Sequence, residues 1–451
     1  MKQLKFNDMI KRLLTSLLLV AGLSMQAQVH RYAYKNPTEG EFPILAWFSI
    51  LPESNLTPER YEEMRNAGFN ISFSHFSTAE QLEKGLQACR GTGVKIMATC
   101  KELEKETAAT VNRFKNDPML AGWFLRDEPT VHGFAELKEF RDRVYAADTT
   151  HTVYLNLLPS IVSPKDLGTK DYEEYAQRFV DEVALPQISY DFYPIVDEGG
   201  KIHVRPQFYE NLEVVRKVAQ RNGMPFWAFV LSTAHDPYPL PTATHMRLEA
   251  FSALAYGAQC IQYFTYWTPI GTVWNFHNAP IAKDGRRTHV YYLIKDLNRE
   301  IQNLAPVFLG AEAAGVWHTG SIPQGTTQLQ TLPAPFTRVE ADGQGVLVSH
   351  LVNGKRQYLM IVNRAERYDR TLPHSEAHNA RRHGAQGEDK RRMHHTARPG
   401  RLPALQVRVT LRQIHENKNA FPAIPYTSKT HDTKHLSRTI PVGMHNGKRA
   451  G

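Results

Sequence analysis

Two adjacent carboxyls close the segment "GWFLRDEPT", residues 122–130. Asp127 and Glu128 follow Trp123, Phe124 and Leu125 almost directly, and Pro129 stops the run. An apolar run of this length reads as a buried strand. Acid at its end either caps the next helix, worth about 0.3–1 kcal/mol as N-terminal charge, or marks a site. Glu128 lies between Trp123-Phe124 and Pro129, where desolvation would raise its pKa and keep it protonated. Asp127 would add like-charge repulsion if both faced one cavity. Side chains alternate along a strand, so one of the two is expected to point away.

Other strand-like runs also end in residues that could do chemistry. They supply Trp47, His75, Asn156, Tyr193, His235 and Trp267, together with Asp191 in "YDFYP" and Asp236 in "STAHDPYP". Glu249 falls within a helical pattern and is expected to pair with its neighbours. Carboxylates and aromatics along one rim suit a sugar, because aromatic faces stack on pyranose C–H surfaces and carboxyls supply acid–base chemistry. Glu128 is the expected general acid and Asp191 the second carboxylate, with Asp236 next in line. An aspartate is short, so a water between it and the sugar carbon is expected, which favours inversion. Trp47, His75, Asp127, Asn156, Tyr193, His235, Asp236 and Trp267 are expected to contact substrate. The sequence has no HExxH or CxxC metal motif and no G-x-S-x-G nucleophile elbow. No metal and no cofactor are expected.

The elements that must position these residues alternate regularly. Strand-like runs at 44–50, 69–76, 94–100, 120–125, 152–159, 187–195, 224–232 and 258–267 are separated by helical patterns. Thr57-Pro58 opens the first helix as N-cap and N1. Ser77-Thr78-Ala79-Glu80 reads as a capping box for the second. Further helices are expected over 102–115, 134–147, 172–183, 207–221, 244–256 and 290–304. Eight strand–helix units over about 260 residues have the size and count of a (β/α)8 TIM barrel. The near-continuous apolar strands suit a parallel sheet covered on both faces. A doubly wound open sheet is the alternative, but no glycine-rich phosphate loop follows the first strand.

From about residue 42 to 304 the chain resembles the secreted (β/α)8 glycoside hydrolases of the large retaining clan that includes the β-galactosidases. It is most similar to the glycosidase-like barrels of gut Bacteroidetes. "GWFLRDEP" at the fourth strand, "YDFYP" at the sixth and "GAQCIQYFTYW" at the eighth carry the resemblance. It implies that the Glu ending strand four, Glu128, is the acid/base. Asp127 stands where the clan usually has Asn. The clan's nucleophile is a Glu ending strand seven; here that strand, "PFWAFVLS", ends without one. Two readings follow: a glycoside hydrolase acting on a plant or host glycan, or a non-catalytic carbohydrate-binding barrel.

The chain has 451 residues and a formal charge of +9. From residue 374 onward 15 lysines and arginines stand against 5 aspartates and glutamates, so the excess lies in the tail. These basic residues lack the interleaved aromatic platforms of a single-strand binder, so a nucleic-acid partner is not expected. Residues 1–27 read as a signal peptide, with Lys2, Lys5, Lys11 and Arg12 before an apolar run at 13–23. That run falls short of the ~20 residues a membrane span needs. A secreted or periplasmic protein with an oligo- or polysaccharide substrate and no membrane insertion is expected. The barrel is assigned to 28–305. A small, truncated β-rich domain follows over 306–372, including an antiparallel pair across "VNGKR". Residues 373–451 read as a disordered or out-of-frame basic tail. Cys89, Cys100 and Cys260 are expected to be buried free thiols.

Overall fold

The computed structural model describes residues 32–51, 54–334, 339 and 345–364, and the backbone of 409–414. The expected signal peptide and most of the expected tail lie outside these residues.

Eight parallel strands form one sheet: β1 (Ile44–Trp47), β2 (Ile71–Phe73), β3 (Lys95–Ala98), β4 (Leu120–Asp127), β5 (Thr152–Asn156), β6 (Ile188–Tyr190), β7 (Phe226–Leu231) and β8 (Cys260–Phe264). β1 pairs with both β2 and β8, and the order runs unbroken from β5 through β1 to β6. The circle closes through a parallel bridge between Leu157 and Tyr190, where the Leu157 N–H donates to the Ser189 carbonyl at 2.8 Å. The open-sheet alternative is thereby excluded.

Period-two alternation sorts each strand between two cores. Leu45, Trp47, Ile71, Phe73, Met97, Phe124, Tyr154, Trp227 and Phe229 fill the barrel interior. Their neighbours, among them Ile44, Ala46, Ile96, Trp123 and Val153, face the helical layer. Tyr34, before β1, packs against the interior group and meets Trp227 edge-on.

The helices follow their sequence signals closely. Thr57 is the N-cap of α1 (Pro58–Asn66), with Pro58 at N1. α2 (Ala79–Ala88) starts one residue later than the box expected at Ser77: Thr78 is the N-cap and accepts from the Gln81 N–H, while Gln81 Oε1 accepts from the Ser77 N–H. The third helix is broken into α3 (Lys101–Lys105) and α4 (Thr107–Phe114) at Glu106. The remaining large helices are α5 (Phe134–Ala147), α6 (Tyr172–Arg178), α7 (Phe208–Arg221), α8 (Ala243–Ala255) and α9 (His289–Asn303).

A four-stranded antiparallel sheet follows: β9 (Glu312–His318), β10 (Val346–Asn353), β11 (Arg356–Asn363) and β12 (Val409–Ile414). The expected hairpin across "VNGKR" is β10–β11, with Asn353 opposite Arg356. β12 lies within the expected tail, where these six residues pair with β11 as a strand. The sheet docks on the barrel through Ser349 Oγ, which donates to the Ala255 carbonyl, and the Tyr256 hydroxyl–His318 pair. All three cysteines are buried and free, and burial pushes Cys100 up to about 11 and Cys89 to about 12.

Candidate active site

The carboxyl ends of the strands surround a cavity of about 570 Å³. β4 reaches it by an irregular route. Gly122, Trp123 and Phe124 pair in order with Thr152, Val153 and Tyr154, but the next partner of Asn156 is Asp127. Three steps on β4 therefore match two on β5, which is a β-bulge over Leu125-Arg126. Glu128 then takes a left-handed backbone with φ of 45° while its N–H donates to the Asn156 carbonyl at 2.8 Å. The bulge and the positive φ together cancel the strand alternation. Asp127 and Glu128 both line the cavity, contrary to the expectation that one would point away. Arg126 faces outward and pairs with Glu104 and Glu136, anchoring the turn.

Asn156 is the hub beneath the acids. Its Nδ2 donates to Asp191 Oδ1 at 2.9 Å, its Oδ1 accepts from Ser189 Oγ at 2.9 Å, and its side chain also bonds Asp127. Ser189 Oγ accepts from Gln262 Nε2, and Gln262 Oε1 accepts from the Tyr154 hydroxyl at 2.6 Å. A buried polar chain thus runs from the barrel axis to the acidic rim, each group satisfied by the next.

Three carboxyls meet at this rim. Burial, and then the charges of Glu128 and Asp127, hold Asp191 well above the ordinary aspartate range. Burial raises Glu128 as well; the hydrogen bond between the two carboxyls works against this at Glu128 and raises Asp191 further. Like charges in contact disfavour double ionisation, so the pair holds its last proton to higher pH than either carboxyl would alone. Asp127 is pushed up to about 7 by burial and by Glu128. Glu128 and Asp191 thus act on each other directly at the rim.

Trp47, Tyr193, His235 and Asp236 also line the cavity. Burial lowers His235 below its ordinary value, favouring the neutral ring. Asp236, on the loop after β7, accepts from Asn275 Nδ2 at 2.9 Å and its N–H donates to Asn275 Oδ1, tying that loop to the one after β8. His75 stands outside the cavity's lining, edge-on to Trp47 and Phe73. Trp267 does not floor the cavity as expected. It is 2% exposed, its backbone N–H donates to the Phe48 carbonyl, and Arg60 lies over its ring at 5.1 Å. The loop's other tryptophan, Trp274, lines the cavity instead, with Phe48, Tyr238 and Phe276. The sequence does not show which of this loop's two tryptophans faces inward. Glu249 is buried on α8 and accepts at 2.8 Å from the Leu231 N–H of β7, a partner across the barrel wall rather than the helical neighbour expected. No described residue ending β7 supplies a carboxyl to the cavity before Asp236. Among the described residues no cluster of three or more His, Cys, Asp or Glu could hold a metal ion, and no helix is long and apolar enough to cross a membrane.

A glycoside hydrolase family model described as β-galactosidase matches residues 166–304, the part of the barrel that carries Asp191, His235 and Asp236. Over 144 residues the chain is 30% identical to β-galactosidase LacA of Lactobacillus acidophilus, covering 32% of this chain and 20% of that protein. The LacZ β-galactosidase of an L. acidophilus strain matches to the same extent. The chain thus spans about a fifth of the length of the curated relatives it matches. Among solved structures, the β-galactosidase of Rahnella sp. R3 is 14% identical with a TM-score of 0.47, over 63% of this chain and 59% of that one. The β-galactosidase of the psychrophilic Marinomonas ef1 is 13% identical with a TM-score of 0.45, over 58% and 60%. The barrel itself is established by the strand pairing of this chain, and its second half is similar in sequence to the β-galactosidase family.

Proposed function

We propose that the protein is a glycoside hydrolase. The observation that carries this reading is the meeting of Asp127, Glu128 and Asp191 at one rim of an aromatic-lined cavity. Glu128 is the general acid. Burial raises its pKa above the ordinary glutamate range, which favours the protonated form that can donate to the oxygen of the departing group. Asp191 is the second carboxyl. Asp236, from the loop after β7, lines the cavity from three strands further round and is positioned to direct a water. The family match over residues 166–304 supports a glycosidic bond as the target. The residues lining the cavity include several carboxyls and no lysine or arginine, which favours an uncharged sugar from a plant or host glycan over a uronic or sulfated one.

The test is hydrolysis of a panel of aryl glycosides and neutral oligosaccharides by the purified full chain, with Glu128→Gln alongside. Hydrolysis lost in Glu128→Gln supports the reading. Saturable sugar binding without turnover would make this a carbohydrate-binding barrel, a reading favoured by the missing carboxyl at the end of β7. Export is part of the same proposal, supported by the basic-then-apolar start of the chain. N-terminal sequencing of the protein recovered from outside the cytoplasm should find a start near Gln28.

A further inference from the structure

Among the described residues six large apolar side chains are exposed, and five of them stand on loops at the barrel mouth. Ile161 follows β5, Leu240 follows β7, and Ile270, Val273 and Trp274 follow β8. Val273 is 99% exposed, Trp274 58% and Ile270 53%. Scattered singly, such residues would mean nothing; gathered beside a cavity they mark a contact surface. Two of the five, Ile161 and Trp274, themselves line the cavity that holds the carboxyls, and Ile270 and Val273 share Trp274's loop. The loop is also held in place: Ala234 and His277 form an antiparallel bridge, and Asp236 and Asn275 exchange two hydrogen bonds.

The collar's chemistry discriminates between occupants. A polysaccharide continuing out of the cavity would need partners for its hydroxyls as well as stacking faces. Ile161, Leu240, Ile270 and Val273 offer no donors or acceptors, so sugar hydroxyls laid on them would lose water without replacement. An apolar group would instead gain from leaving water. The geometry points to a substrate that is two-ended: a sugar in the carboxyl-lined cavity and an apolar leaving group, such as a free alkyl or aryl aglycone, on the collar. Trp274, Val273 and Ile161 would then be specificity-determining residues for the leaving group. This inference rests on the proposed glycosidase reading for the sugar end only.

The experiment measures equilibrium binding of methyl and octyl glycosides of each common neutral sugar to the full-length Glu128→Gln protein, below micelle-forming concentrations. The octyl compound of at least one sugar is expected to bind about tenfold or more tightly than its methyl counterpart, the gain from removing a few CH₂ groups from water. The difference should shrink severalfold in the added Ile270→Ser/Val273→Ser double variant, two collar residues outside the cavity lining, with methyl glycoside affinity unchanged. Equal affinity for methyl and octyl compounds with every sugar overturns the inference. So does a preference that survives the double variant, or a dimer that sedimentation shows to be lost in that variant, which would make the collar a contact between copies. Tight octyl binding without any turnover by the wild-type protein would sink the glycosidase reading and leave the two-ended ligand standing.

Discussion

Glu128 and Asp191 come from strands separated by one neighbour, yet their carboxyls hydrogen-bond to each other over the Asn156 side chain. Asp191→Asn should lower kcat by roughly 10²–10⁴, the usual size of a general acid–base contribution. It should also move the basic limb of the kcat/KM profile to lower pH. Removing the neighbouring carboxyl takes away the charge that helps keep a proton on the pair. An unchanged basic limb would separate Asp191 from Glu128's titration.

Glu128 holds φ at 45°, a conformation that costs a residue with a Cβ about 1–2 kcal/mol and a glycine almost nothing. Glu128→Gly should therefore abolish hydrolysis while raising Tm by roughly 2 °C. A lower Tm in this variant would show that the carboxyl contributes more to the fold than its backbone costs.

Glu249 has its pKa raised to about 8 by burial, although its Oε2 accepts from the Leu231 N–H. A folded-state value above the unfolded one favours the native state at low pH, and the contribution is lost as pH rises through the folded value. Thermal unfolding should thus become steadily easier between pH 5 and 9. Glu249→Gln keeps an acceptor and cannot ionise, so its Tm should exceed that of the wild type at pH 9 and converge with it near pH 5. Parallel curves would show that Glu249 does not set this slope.

Gly122 marks a close approach of β4 to its neighbours. A Cβ there would lie 2.5 Å from the Thr152 carbonyl oxygen and 3.0 Å from Met97 Sδ. Backbone cannot step aside as a flexible side chain can, so Gly122→Ala should destabilise by about 1–3 kcal/mol in chemical denaturation. A loss under ~0.5 kcal/mol would mean the strands separate there more easily than their pairing suggests.

The barrel was legible because its signals are local. Thr57-Pro58, the run of helix 134–147 and the apolar strands each announce themselves within a few residues, and the alternation of elements does the rest. The rim was legible only as a set of strand-end residues. Whether Asp127 and Glu128 share a face depends on one extra residue between Phe124 and Asp127 and on one backbone angle. Neither leaves a mark in hydrophobic periodicity. Trp267 and Trp274 lie seven residues apart in one loop, and the buried one packs under Arg60, more than 200 residues earlier. Asp236 is held by Asn275 across two loops, a pairing of the same long-range kind.

The bridge at Leu157–Tyr190 is the thinnest join in the ring of strands, and side chains fasten it where backbone pairs do not. At its lower end Thr152 Oγ1 donates to Gln187 Oε1, and Gln187 Nε2 donates to the Val153 carbonyl. At its upper end the fasteners are Asn156, Ser189 and Asp191, the same groups that gather the acids. The clasp of the barrel and its candidate chemistry are therefore one set of atoms. Any change to Asn156, Ser189 or Asp191 acts on the closure of the barrel and on its acidic rim at once.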